Sequence, residues 1–166
     1  MTFHFLVPRR ADALDRRPER LRDYLAEHWQ SRVCHVHPVP FADSSCLTQL
    51  VEEEIDLVVS SQMERGDGRF GFEDFVARWG WHDKLQLKVV ALSGGWRKLL
   101  GLSLFLNRRC SHVLIVDFAS HLSDGSMLFV IDRMRDLDME AVAFAEYDPM
   151  LLLRHLPDAL ILECDV

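Results

Sequence analysis

The sequence predicts an α/β layered domain with a mostly parallel sheet. Short apolar runs alternate along the chain with longer segments of helical periodicity, the order produced when crossover helices rather than hairpins join the strands. One run, Val113-Leu114-Ile115-Val116, carries no polar residue, as suits a strand covered on both faces. A length of 166 residues, 49% hydrophobic and 27% charged, is ordinary for one compact domain with a real core. No linker, repeat or low-complexity tract interrupts it, so residues 1–166 read as a single domain.

Phe3 to Val7 is a buried strand ended by Pro8. Asp15 to Gln30 is an amphipathic helix: Asp15 lies near its start, Pro18 in its first turn, and Leu21, Leu25 and Trp29 recur every four residues. Arg32 to Val39 alternates and runs into prolines, which predicts a second strand. Leu47 to Ser60 reads as a helix, and Gln62 to Gly71, with three glycines among charges, as a turn or exposed loop. Phe72 to Trp81 and Trp96 to Arg109 are the next helices, the second Leu-rich and buried. After the Val113 strand come a helix over Ser126 to Leu137 and a strand over Ala141 to Ala145. A short helix over Met150 to His155 and a strand over Ala159 to Glu163 complete the pattern.

The 19 basic against 26 acidic residues leave a net charge of −7, which argues against direct nucleic-acid binding. No apolar stretch approaches the roughly 20 residues that span a bilayer. At the N-terminus the charges of Arg9 and Arg10 follow the apolar run instead of preceding it, so no signal peptide is expected. Cys34, Cys46, Cys110 and Cys164 are too sparse for a secreted disulfide scaffold. The expectation is a reduced, cytoplasmic protein without a membrane span.

The most informative stretch is Leu92-Ser93-Gly94-Gly95-Trp96-Arg97-Lys98, followed by a helix and by Val113-Leu114-Ile115-Val116-Asp117. It resembles the signature motif, signature helix and Walker B strand of ABC-type ATPases. The Trp after the two glycines is most similar to the ABC-F branch, and the Leu-rich helix is also similar to SMC-type proteins. The likeness continues through Ala119 to Asp124, where the family has its D-loop region, and through Ala141 to Pro149, which resembles the strand and switch segment. Leu151 to Glu163 is similar to the helix and strand that follow. The resemblance therefore covers about Leu92 to Glu163 and implies a reduced P-loop NTPase-like fold. In the family, the glycine-rich turn contacts a nucleotide γ-phosphate across a dimer interface; N–H groups and the helix dipole at such a terminus favour an anion.

The departures from the family pattern are all in its chemistry. No Gly-x-x-x-x-Gly-Lys-Ser/Thr occurs, so Walker A is degenerate or lost. Its place, Pro8 to Pro18, has neither glycine nor lysine, and the two prolines remove N–H donors. Phe118 stands where the family's water-polarising glutamate would be, and a phenyl ring cannot act as a base. Tyr147 replaces the switch histidine, and no Q-loop glutamine is evident near His37 to Pro40. Asp117 alone is left as a Mg²⁺ ligand of the Walker B type.

Each of these residues also has a plain structural reading. Ser93-Gly94-Gly95 serves equally as a helix entry with Ser93 at the cap, and Asp117 as a strand-end residue. Arg9, Arg10, Arg16, Arg17, Arg20 and Arg22, interleaved with Asp12, Asp15 and Glu19, read as a solvated salt-bridged surface. Glu52-Glu53-Glu54 reads as an exposed helix face, and Trp29, Trp79, Trp81 and Trp96 as core or interface anchors. A zinc site from His35, His37, Cys110 and His112 would need tertiary proximity that no Cys-x-x-Cys pair supports, so no metal is assigned. No Ser or Cys sits in a nucleophile context.

These residues point to a pseudo-ATPase subunit: no catalytic residues, an adaptor role in a protein complex, and Ser93, Gly94 and Gly95 facing a nucleotide in trans. ATP and Mg²⁺ are expected only at a site shared with a partner, either an ATPase with an intact Walker A or a second copy in a homodimer. Docking through the former ATPase surface or through the Trp-rich segment Phe72 to Trp81, with no nucleotide involved, is a variant of this reading. The alternative is a genuine ATP-binding subunit of a transporter or DNA-linked machine with an unconventional P-loop.

Overall fold

The short apolar runs become five strands: β1 (Thr2–Pro8), β2 (Val33–Val36), β3 (His112–Val116), β4 (Ala141–Ala145) and β5 (Leu160–Cys164). In the computed structural model they form one sheet in the order β2-β3-β4-β1-β5, with every neighbouring pair parallel. The structure describes residues 1–8, 18–36, 48–146 and 150–164. Parallel neighbours cannot be joined by tight turns, so the intervening helices are a requirement of the topology. These are α1 (Pro18–Trp29), α2 (Val51–Glu64), α3 (Phe72–Trp79), α4 (Gly94–Leu106), α5 (Asp124–Arg135) and α6 (Met150–Leu153). The expected mixed α/β class with its parallel sheet is the observed one.

The chain separates into two compact bodies, Met1–Pro38 with Cys110–Val166, and Val39–Arg109. The first holds the sheet. Val113 to Val116 and Val142 to Ala145 are each 1% exposed or less, which explains why these strands carry no polar residue on either face. On α1, Leu21 and Leu25 lie one turn apart and are fully buried with Leu6, Val33, Leu114, Val116 and Ala143. Each of these leucines contributes about 2 kcal/mol of apolar burial.

The second body contains α2, α3 and α4 and is fastened by two buried amides. Gln62 Nε2 donates to the Leu104 carbonyl at 2.9 Å. Asn107 Nδ2 donates to Gln62 Oε1 at 2.7 Å and to the Phe70 carbonyl at 3.2 Å, while its Oδ1 accepts from Phe70 N at 3.1 Å. These bonds join the end of α2, the turn before α3 and the end of α4. They also draw α2 out to Glu64, past the expected end at Ser60, because Gln62 must sit on the helix to reach them.

Four expectations need correction. The helix from Phe72 stops at Trp79, not Trp81, because Gly80 takes a left-handed conformation (φ 70°) that a side chain would strain. Phe75, Val76, Trp79 and Trp81 are all 1% exposed or less, so the aromatic side expected to dock a partner packs inward. Glu54 is not part of an exposed acidic face. It is buried, and its Oε2 accepts from Thr48 N at 3.0 Å and from Thr48 Oγ1 at 2.9 Å. Finally, the cysteines are not all reduced: Cys34 and Cys110 form a disulfide, while Cys164 is buried.

That bond also removes Cys110 as a zinc ligand. Among the described residues, no group of three or more His, Cys, Asp or Glu side chains is placed to hold a metal ion; His37 lies outside them. No helix among the described residues is long and apolar enough to cross a membrane. Arg9, Arg10, Arg16 and Arg17 also fall outside the described residues, while Arg22 pairs with Asp23 at 2.6 Å.

Candidate functional site

In the first body the sequence-predicted residues Asp117 and Phe118 lie at the carboxyl end of β3, beside the end of β4. Asp117 N donates to the Ala145 carbonyl at 2.8 Å, which extends the pairing by one residue. The backbone then turns sharply, because Asp117 adopts φ 54°. Asp is among the few residues that tolerate this region at modest cost. Asp117 Oδ2 accepts from Ser120 Oγ at 2.6 Å, so the carboxylate closes its own turn.

That turn decides where Phe118 points. Its side chain is fully buried and its ring lies 5.1 Å from that of Phe144. Phe118, which the sequence resemblance sets against a glutamate, is therefore a core residue. Its backbone N–H is held by Glu146, whose Oε1 accepts from Phe118 N at 2.5 Å and from Ala119 N at 3.3 Å. Glu146 is itself buried, at the end of β4. Sequence reasoning passed over this carboxylate. The available signal was a single acidic residue directly after the fully apolar run Ala141 to Ala145. Tyr147 and residues 9–17, most of the segment where the resemblance would set Walker A, lie outside the described residues, as do residues 37–40.

The segment that resembles the D-loop leads into α5. Ser123 caps this helix by accepting from Ser126 N at 3.2 Å. Asp124, in the first turn, bonds to Arg154 and lies 3.9 Å from His155 Nε2. His121 is exposed and has φ 61°.

In the second body, Ser93 is the N-cap of α4, its Oγ accepting from Trp96 N at 3.4 Å. The cap reading of Ser93 is thus realised. Ser93 is exposed, Gly94 and Gly95 are half-buried, and a Cβ built on Gly94 would meet nothing within 4 Å. The first-turn N–H groups of any α-helix lack intrahelical acceptors and carry the positive end of the dipole. Trp96 is 36% exposed; its ring meets buried Trp81 edge-on at 5.5 Å and carries Lys84 Nζ at 4.0 Å from its centre. What this terminus presents is open space over a glycine, with a cation nearby.

No protein-family model and no curated protein sequence matches the chain. Solved structures do match. A metal-chelate-type ABC transporter in an inward-facing conformation superposes with a TM-score of 0.61 at 16% identity, over 92% of this chain and 65% of that one. An ATP-binding subunit of an ABC transporter gives 0.61 at 11% identity, over 99% and 75%. The cbiO1 protein of Clostridium perfringens, part of the cbiONQ ABC transporter complex, gives 0.57 at 11% identity, over 90% and 70%. The fold is ABC-ATPase-like.

This ABC-ATPase-like chain spans about two thirds of the first of those chains, and at these identities the likeness is one of fold. The order β2-β3-β4-β1-β5 brings the carboxyl ends of β3 and β4 side by side, on the edge of the sheet where open parallel sheets bind ligands.

A second cluster sits at the opposite ends of the strands. The ring of Trp29 lies between those of His4 (5.3 Å) and His112 (5.2 Å). His4 is buried, with Nε2 3.0 Å from Thr2 Oγ1. Burial pushes its pKa below the ordinary 6.5, and the nearby charges of His28 and His112 push it the same way. The fold therefore favours neutral His4. The stability this contributes is complete above pH 6.5 and is lost as pH falls below that value. His4→Gln, which keeps a polar group near Thr2 but does not titrate, is expected to flatten the decline of the urea midpoint between pH 7 and 5. An unchanged decline would assign the acid sensitivity elsewhere.

Proposed function

We propose that this chain is a non-catalytic pseudo-ATPase subunit, an adaptor that completes a partner's nucleotide site in trans through Ser93, Gly94 and Gly95. The observation that carries the reading is the exposed N-terminus of α4, where the side of Gly94 is open. The fold of this chain gives no steric reason for glycine there, whereas the approach of an outside phosphate to the backbone does. The residues at the ends of β3 and β4 support the absence of hydrolysis. Phe118 is packed into the core, Asp117 is engaged by Ser120, and Glu146 is engaged by two backbone N–H groups. The sequence has no Walker A motif to hold a nucleotide of its own. ATP and Mg²⁺ would be held mainly by the partner, and this chain would supply helix-terminal donors to the γ-phosphate.

The test is recovery of partners from native extract by affinity capture, followed by ATPase assay of the complex with wild type and Gly94→Asp. The new carboxylate meets open space in this chain but would repel a phosphate. We expect an ATPase with an intact Walker A to co-purify, and its rate to fall at least about tenfold with the variant while the complex still forms. An unchanged rate overturns the reading. Saturable ATP binding by the purified chain alone would overturn it in favour of an ATP-binding subunit with an unconventional P-loop.

A further inference from the structure

The last turn of α1 docks on the sheet through Trp29. This residue ends the helix, and Gln30 after it takes a left-handed conformation (φ 49°) that a residue with a side chain adopts at a cost. Ser31 N donates back to the Ala26 carbonyl at 3.1 Å and closes the turn. The two rings that hold Trp29, His4 of β1 and His112 of β3, differ in what a proton would meet on them. His112 Nδ1 lies 3.1 Å from Ser31 Oγ and 3.0 Å from Ser111 Oγ, and its Nε2 lies 3.7 Å from Glu140 Oε2. Both nitrogens of His112 therefore face an oxygen that accepts from an imidazolium.

His4 has such an oxygen at one nitrogen only. Thr2 Oγ1 donates to the Glu140 carbonyl at 3.3 Å and so accepts from His4 Nε2 at 3.0 Å. That bond fixes the neutral tautomer, with its proton on Nε2 and a bare lone pair on Nδ1. Nδ1 is sealed from solvent and has no hydrogen-bond partner among the described residues. A second proton there would be a buried, charged N–H without an acceptor. The groups around His4 give no relief. His28 of α1 and His112 of β3 oppose a charge on it, and its pairing partners on β4 and β5, Ala143 and Leu160, are uncharged. Tyr24 stacks on His28 and donates its hydroxyl to the Glu163 carbonyl. Glu140 faces His112, and its side chain is 74% exposed, so solvent screens it.

We propose that this cluster is a proton-gated latch on the last turn of α1: His4 takes a second proton only once Trp29 lifts away and water reaches Nδ1. The element with two positions is the turn, and strained Gln30 is its hinge. Each charge gained by His28 or His112 adds to the cost of charging His4 while Trp29 is docked. Opening takes up one proton, so below the ordinary histidine value of 6.5 the ratio of open to docked turn grows about tenfold per pH unit. Raising the pH removes the proton and redocks the ring.

The test is fluorine NMR of the full chain labelled with fluorotryptophan, with Trp29→Phe assigning its resonance among the four tryptophans. Between pH 7.5 and pH 5 we expect the Trp29 resonance to move reversibly to the position of solvent-exposed fluorotryptophan. Amide exchange in β3 and β4, corrected for intrinsic rates, should stay slow over the same range, which separates the latch from unfolding of the sheet. His4→Gln should hold the resonance at its pH 7.5 position throughout. His28→Gln, a change at an exposed position that removes one opposing charge, should keep the latch but require a lower pH to open it. Four results overturn the proposal: a wild-type resonance that stays in place, one that moves only as β3 and β4 exchange, one that still moves in His4→Gln, or an opening pH that does not fall in His28→Gln.

Discussion

Reduction of the Cys34–Cys110 bond is expected to lower the thermal unfolding midpoint by roughly 10 °C. The two cysteines are 76 residues apart, and the loop they close contains the entire second body, Val39–Arg109. Cross-linking a chain over such a span removes about 4 kcal/mol of entropy from the unfolded state. For a protein of this size each kcal/mol moves the midpoint by roughly 2–4 °C. The measurement is differential scanning fluorimetry with and without dithiothreitol, on wild type and on Cys34→Ser/Cys110→Ser. The double variant should start low and ignore the reductant. Cys164→Ser, which leaves the bond in place, should keep the wild-type response to the reductant. Identical midpoints with and without reductant in the wild type would show that the bond carries no stability.

Phe118→Glu, which places a glutamate where the resemblance to ABC-type ATPases expects one, is expected to unfold the protein readily and not to produce hydrolysis. Phe118 is fully buried against Phe144, whose ring also lies 6.0 Å from those of Phe3 and Phe5. Replacing the ring forfeits its packing, about 3–5 kcal/mol by analogy with large-to-small core changes. It also buries a carboxylate close to that of Glu146, which already bonds the Phe118 N–H. The urea midpoint should fall by a large fraction of total stability, and phosphate release should stay at background. A variant as stable as wild type that releases phosphate from ATP would mean that position 118 reaches solvent.

The parts of the fold legible in the sequence were those set by local pattern. Val113 to Val116 and Ala141 to Ala145 are apolar without interruption, and both are strands buried on two faces. The spacing of Leu21 and Leu25 marked one face of α1, and both leucines are buried beneath it. Element ends were less legible wherever a distant group decided them. Gln62 is helical because Leu104 and Asn107 await its amide from 42 and 45 residues away. Within the candidate site, Ser93 was legible as a cap, since the capping bond spans only three residues. Glu146 was not, because the groups it holds, Phe118 N and Ala119 N, lie 28 and 27 residues earlier.

The sequence by itself determined the α/β class, the parallel alternation, the absence of a Walker A motif from these residues and the helix cap at Ser93. Each depends on hydrogen bonds or side-chain periods that close within one element. Only the tertiary structure decided that Cys34 meets Cys110, that Glu54 is buried against Thr48, and that Phe118 points into the core. Those outcomes depend on which elements come to lie beside one another, and pairing across tens of residues is set by the burial of the whole chain, which no local spacing encodes.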